Sequence, residues 1–294
     1  MRFNRTRKSQ NVEDRRGQGA GRSMSRGGSG MKIGGGGAII LLILGLFLGQ
    51  DLIGPLMGGG GNVPQLNPQA TQTTDGQPKL RTEDQATAFI ANVLGTTEDV
   101  WVDLFKNAGK QYRPPKLVLF NNGVNSACGF TSSAAGPFYC PGDSQVYIDL
   151  SFFRELERMG AGGDFAQAYV LAHEVGHHVQ NQLGVSMAVQ RRMRQVPKVQ
   201  ANKLSVLAEL QADCYAGVWA HHAHKRFQLL EPGDLEEGMN AASKIGDDVL
   251  MRNAGRRAHP DMFTHGSSQQ RQQWLYRGLE LGDPNQCDTF QSNV

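Results

Sequence analysis

Apolar and polar positions change rhythm several times along the 294 residues. Ile33 to Gly49 is a 17-residue run without a charge, IGGGGAIILLILGLFLG; Gln50 and Asp51 interrupt it and LIGPLM follows. From residue 81 onward the pattern is that of a folded body. Thr82-Glu83-Asp84 opens a helical pattern running through Leu94. Thr97-Glu98-Asp99 opens another, with Val100, Trp101, Leu104 and Phe105 on one side. KLVLF (116–120) and QVYIDL (145–150) read as strands, separated by Gly-, Ser- and Asn-rich sequence. Ser151 caps a short helix to about Met159. Four further helical patterns span roughly 164–182, 203–224, 234–254 and 267–281. Strands and helices come first and helices alone follow, which predicts an α+β body: a small sheet followed by a helical lobe.

Charge divides the chain differently. Residues 1–37 carry nine lysines and arginines against Glu13 and Asp14, a balance of +7, and the remaining 21 basic and 25 acidic residues leave −4. A basic head on a slightly acidic body excludes a nucleic-acid-binding domain as a whole, and no nucleic-acid partner is expected. The head, rich in Gly, Ser, Gln and Arg, is expected to be disordered over 1–32. The apolar run behind it, bounded as 33–53, reads as one uncleaved transmembrane anchor, at the short edge of what spans a bilayer. A secretory signal fits poorly, because the basic region is too long and no A-x-A site follows. The positive-inside rule then places the head in the cytoplasm and the body beyond the membrane. Residues 54–80, rich in Gly, Pro, Gln and Thr, read as a linker, leaving 81–294 as the folded domain.

All four cysteines follow the anchor, and an even count outside the membrane suggests disulfides. Three pairings are open, and four buried thiols are the bland alternative. Cys128–Cys140 brackets a natural loop, GFTSSAAGPFY, which leaves Cys214–Cys287 to pin the C-terminal tail to a helix.

The chemistry lies in His173-Glu174-Val175-Gly176-His177. On a helix the two histidines are one turn apart and point the same way, so they can share one zinc ion; Glu174 can reach a water on the metal without ligating it. His178 is off that face. Catalytic zinc takes a third protein ligand, and the segment 203–220 supplies candidates. It is apolar nearly all round, yet carries Glu209 and Asp213 at i and i+4. Two like charges one turn apart in a buried helix need something positive facing them. Glu209, with the longer reach, would ligate the metal, and Asp213 would accept the free N–H of a ligand histidine. His221, twelve residues beyond Glu209, is about 18 Å further along the axis. Capping suits it, with His222 and His224, better than ligation. Arg256, Arg257 and Arg271 receive no role beyond solvation or pairing.

HEVGH (173–177) followed by ELQAD (209–213) resembles the two-helix zinc site of gluzincin metallopeptidases. More closely, the chain resembles the bacterial "putative neutral zinc metallopeptidase" family. The shared features are the basic N-terminus and single anchor, ACG…PFYCPGD (127–143), VYIDLSFF (146–153), AHEVGHHVQ (172–180), ELQADCYAG (209–217) and FTHGSSQQR (263–271). The resemblance implies His173, His177 and Glu209 as zinc ligands, Glu174 as catalytic base and Asp213 as the supporting carboxylate. It implies a peptide or protein substrate, and a body facing the periplasmic side of the bacterial inner membrane. It also offers His265, just before a helix start, as an oxyanion stabiliser, with Asp261 as its expected orienting partner. Either candidate strand could bind a substrate backbone if it formed the sheet edge. A zinc-bound scaffold that does not cleave would carry the same residues, and turnover discriminates the two.

Overall fold

The computed structural model describes residues 1–17 and 83–291. The expected anchor (33–53) and linker (54–80) lie outside the described residues, and among those described no helix is long and apolar enough to cross a membrane.

The body is α+β. A four-stranded sheet has the order β1-β2-β6-β5, formed by β1 (Val12–Asp14), β2 (Lys116–Leu119), β6 (Gln145–Ile148) and β5 (Phe138–Cys140). β1, β2 and β6 run parallel, and β5 is antiparallel to β6. The Gly/Ser/Asn-rich stretch holds a separate hairpin, β3 (Gly123–Ser126) and β4 (Gly129–Ser132). Alternation along β2 and β6 splits the apolar residues between two cores. Leu117, Leu119, Val146 and Ile148 enter the main core with the helices. Val118, Phe120 and Tyr147 pack with Phe138 and Val124 on the other face. Cys128–Cys140 ties the hairpin turn to β5.

Two expectations change here. Residues 1–17, expected within a disordered head, form β1 and a docked segment. The segment needs no core of its own, because it supplies main-chain partners to an open strand edge. The two strands that could accept substrate only if they formed a sheet edge are both interior: β2 lies between β1 and β6, and β6 between β2 and β5. Their hydrogen-bonding groups are taken on both sides.

The first helix, α1 (Glu83–Asn107), is one element rather than two. Gly95-Thr96-Thr97 resembles a break and a new cap, but both threonine hydroxyls bond back within the helix, Thr96 to the Val93 carbonyl and Thr97 to that of Leu94. α2 (Ser151–Arg158) and α3 (Asp164–Gln182) fall where the pattern places them. An unforeseen α4 (Val185–Met193) precedes α5 (Lys198–Phe227). The pattern at 234–254 resolves into α6 (Asp234–Lys244) and α7 (Asp247–Asn253), and α8 (Ser268–Leu281) opens with a capping box between Ser267 and Gln270.

α5 is the axis of the lobe, in contact with α1, α3, α4 and α8. At two crossings the backbones nearly touch. A Cβ on Gly176 of α3 would lie 2.9 Å from the Ala212 carbonyl oxygen of α5, and one on Gly278 of α8 would lie 1.9 Å from that of Cys214. At this second crossing Cys214–Cys287 ties α5 to the turn after α8. The bridge closes a 73-residue loop, worth about 4 kcal/mol by chain entropy.

Gly278→Ala should therefore force α8 off α5 and lower stability by about 3 kcal/mol, the top of the usual overpacking range. Gly17→Ala, where a Cβ meets nothing within 4 Å, should leave the urea midpoint unchanged. Equal midpoints for the two variants would show that the α5–α8 contact is not tight.

Candidate metal centre

The α3–α5 crossing at Gly176 and Ala212 sets the distance over which side chains of the two helices meet. One turn before it on α3 stands His173 and one residue after it His177, with Glu209 opposite on α5. All three are buried, and one donor atom from each lies within 4.8 Å of the others. His173 Nε2 is 3.1 Å from Glu209 Oε2, and His177 Nε2 is 3.5 Å from Glu209 Oε1. Ligands on a tetrahedral zinc with bonds near 2.0–2.1 Å are about 3.3 Å apart, so these separations match its edges.

Each imidazole is turned by its other nitrogen. His173 Nδ1 donates to Asp213 Oδ1 at 2.7 Å, and His177 Nδ1 to Gln180 Oε1 at 2.9 Å, leaving both Nε2 atoms facing Glu209. Gln180 is itself held, its amide donating to the Ala208 carbonyl and to Gln211 Oε1. Asp213 is fully buried and receives Arg271 through two nitrogens, Nε at 2.8 Å and Nη2 at 2.9 Å, and the Tyr169 hydroxyl at 2.6 Å. Arg271 comes from α8, which the Gly278 contact holds against α5.

The electrostatics set the carboxylates apart. Burial pushes Asp213 up, but Arg271 and His173 outweigh it and hold the carboxyl at about 2. Glu209 is likewise driven well below the usual range, against its burial, by His177 and His173. Burial alone would depress His173; Asp213 and Glu209 lift it to about 10. The centre thus draws positive charge to the point between the three donors. Glu174 goes the other way: burial raises its carboxyl despite both histidines. Its Oε2 is buried with no hydrogen-bond partner, beside a small cavity lined by Pro137, Phe152, Val170 and Ile245. Two imidazoles, one carboxylate and an unpartnered carboxylate oxygen fit a zinc ion with a water.

His265 is buried and near enough to Glu209 for their charges to interact. Its orienting partner is Asp247, not Asp261. Asp247 Oδ1 is 3.1 Å from His265 Nδ1, while Oδ2 accepts the backbone N–H groups of Thr264, His265 and Gly266. Asp261 instead lies on the surface, 3.9 Å from His259. Asp247 opens α7 behind the loop, whereas Asp261 is on the same loop and points outward. His178 is buried against Tyr139 and the Arg113 carbonyl, and burial depresses it to about 4. His221 and His222 bond to the Leu279 and Gly282 carbonyls at the end of α8, and His224 accepts the N–H of Leu230.

Arg271, Tyr169, Gln180 and Asp247 were not foreseen as parts of this centre. A signal for Arg271 existed: Glu174, Glu209 and Asp213 are three buried negative charges, one more than a divalent ion balances.

Residues 1–290 match the family described as "Putative neutral zinc metallopeptidase". The "Uncharacterized protein YpfJ" of Escherichia coli K12 is 45% identical over 297 aligned residues, covering all of both chains. The "Uncharacterized protein Rv2575" of Mycobacterium tuberculosis H37Rv is 41% identical over 227 residues, 72% of this chain and 74% of its own. No solved structure matches.

Arg271→Met leaves buried Asp213 with only the Tyr169 hydroxyl and His173 as partners and should cost about 3 kcal/mol in the metal-free protein. Adding Asp213→Asn should recover part of that loss, because the under-compensated charge goes with it. Asp213 titrates below its ordinary 3.8 in the folded state, so its contribution is complete above about pH 4 and fades as pH falls towards 2. The stability gap between wild type and Arg271→Met should narrow over that window. Strictly additive single and double variants in urea unfolding would show the pair is not coupled.

Proposed function

The chain belongs to this zinc metallopeptidase family, and from that premise we propose that it is a zinc-dependent peptidase of gluzincin type, hydrolysing peptide bonds in a peptide or protein substrate. The observation that carries the reading is the unpartnered, buried Glu174 Oε2 beside three converging metal donors. A purely structural zinc site is closed by four protein ligands and has no use for a buried carboxylate that ligates nothing. That oxygen therefore favours a site with an open water position over a closed structural one.

His173, His177 and Glu209 would hold the ion through Nε2, Nε2 and a carboxylate. Zinc, when bound, supplies Lewis acidity, lowering the pKa of water towards ~7 and polarising a carbonyl. Glu174, its carboxyl already raised by burial, takes the proton from the attacking water and returns it to the leaving amine. Its neighbours Phe152, Val170 and Pro137 keep bulk water from that carboxylate. His265 donates a ring N–H to the developing oxyanion; Asp247 holds the opposite nitrogen and fixes the ring through the loop backbone. The charge-free run at 33–49 with its basic flank supports attachment of this peptidase to a membrane.

Three variants separate these roles. Glu174→Gln should keep stoichiometric zinc and the wild-type fold and lose turnover, since the group changed is not a ligand. Glu209→Gln should lose zinc or bind it far more weakly. His265→Ala should keep zinc and slow turnover by about 10²–10³-fold, the usual cost of one oxyanion donor. Metal analysis and N-terminal mapping of cleaved peptides read all three. Wild-type cleavage by Glu174→Gln would overturn the mechanism. No cleavage of a broad peptide library by zinc-loaded wild type would favour the scaffold.

A further inference from the structure

We infer that residues 1–17 are a structural part of the metal-binding body and lie on the same side of any membrane as that body.

The docking is extensive. Val12, Glu13 and Asp14 pair in register with Leu117, Val118 and Leu119, and the ladder extends through Leu117 N–H to the Asn11 carbonyl and Arg15 N–H to that of Leu119. Phe3 sets its ring edge-on to Phe89 of α1 at 5.4 Å. Arg2 reaches the loop between α5 and α6, donating its N–H to the Leu229 carbonyl and its guanidinium to Glu231.

The body is shaped to receive this segment. Glu98 on α1 is 2% exposed, a buried carboxylate. Its hydrogen-bond and ion-pair partners come from the segment: Ser9 Oγ at 2.6 Å, Asn11 Nδ2 at 2.7 Å and Arg7 Nη2 at 2.7 Å. The segment thus covers this carboxylate and supplies the donors that compensate its charge. A Cβ on Gly95 would stand 2.4 Å from the Arg7 carbonyl oxygen, so α1 is bare of side chain where the segment crosses it. Ser9 N–H bonds to the Ala91 carbonyl at the same place.

The basic residues that mark the head as cytoplasmic have a use in this docking. Of the six in residues 1–17, Arg2 and Arg7 pair with carboxylates of the body, and Arg15 and Arg16 with Glu13 and Asp14 beside them. The positive-inside rule counts charges near a span; here most of those before residue 18 are answered by the fold.

Arg16 Nη2 donates to Thr87 Oγ1 at 3.0 Å, so the end of the docked segment stands beside the first turns of α1.

The test uses the full-length chain in its native membrane. Its four cysteines are paired, so single new thiols at the exposed Asn4 and Lys110 can be labelled with a membrane-impermeant maleimide in intact cells and in inverted vesicles. Asn4→Cys and Lys110→Cys should label from the same side in both preparations. Labelling from opposite sides overturns the inference. Hydrogen exchange on the purified protein is the second measurement. The amides of residues 12–14 should be protected as strongly as those of 117–119, and exchange at the rate of a free peptide would overturn the docking itself. Both readouts are independent of peptidase activity, so their failure and the failure of the enzymatic reading are distinguishable.

Discussion

Everything at the candidate metal centre depends on how closely α5 lies against its neighbours. A glycine at each of two crossings lets backbones approach until a single methyl group would collide with a carbonyl oxygen. At the first crossing Glu209 comes within 3.1 Å of His173 Nε2 and 3.5 Å of His177 Nε2. At the second, α8 moves in far enough for the Arg271 guanidinium to grip Asp213. Short, rigid side chains such as histidine and aspartate cannot span a wide helix gap. The choice of Gly176 within HEVGH thus serves geometry as much as His173 and His177 serve chemistry. Large apolar residues would fill the same volume but would move the donors out of reach.

Close approach brings an electrostatic problem, because it puts three carboxylates into one buried volume. The protein treats each differently. Asp213 is pinned in its ionised form by a bidentate arginine, so it serves as a fixed acceptor that orients His173. Glu209 is held ionised by the histidines and presents its oxygens towards both Nε2 atoms. Glu174 lacks such a partner, and burial raises its proton affinity. Pushing acidic groups of one site apart in pKa divides the labour: the low ones stay charged, and the raised one can carry a proton. Arg271 makes the division possible. With it, one divalent ion suffices to balance the rest.

Much of this was legible in the sequence, for reasons that can be named. α3 could be read in full because its apolar residues repeat with helical period and its two histidines share a face. Glu209 and Asp213 stood out as acids in an otherwise apolar helix. The two disulfides followed from a local loop and what remained. What was not legible involves partners distant in the chain. Arg271 looks like any surface arginine of an amphipathic helix until α8 is placed against α5. Asp247 displaced Asp261 as the partner of His265 because contact follows the fold of the 264–266 loop around a carboxylate, not nearness in sequence. The continuity of α1 was hidden because Thr96 and Thr97 serve equally as caps and as residues that bond back to their own helix.

The N-terminal segment shows why composition can misread a short stretch. Few apolar groups and many arginines predict disorder when a segment must build its own core. Residues 1–17 build none. They gain order from three sources that composition does not record: the vacant edge of β2, a buried carboxylate on α1, and a glycine that lets the two backbones meet. The arginines that lower the segment's hydropathy are also what Glu98, Asp99 and Glu231 require. The same charge pattern is therefore compatible with a disordered cytoplasmic head and with a docked edge strand. What separates them is whether the rest of the chain offers acids to receive it, and Glu98 on α1, which the docked segment covers, is such an acid.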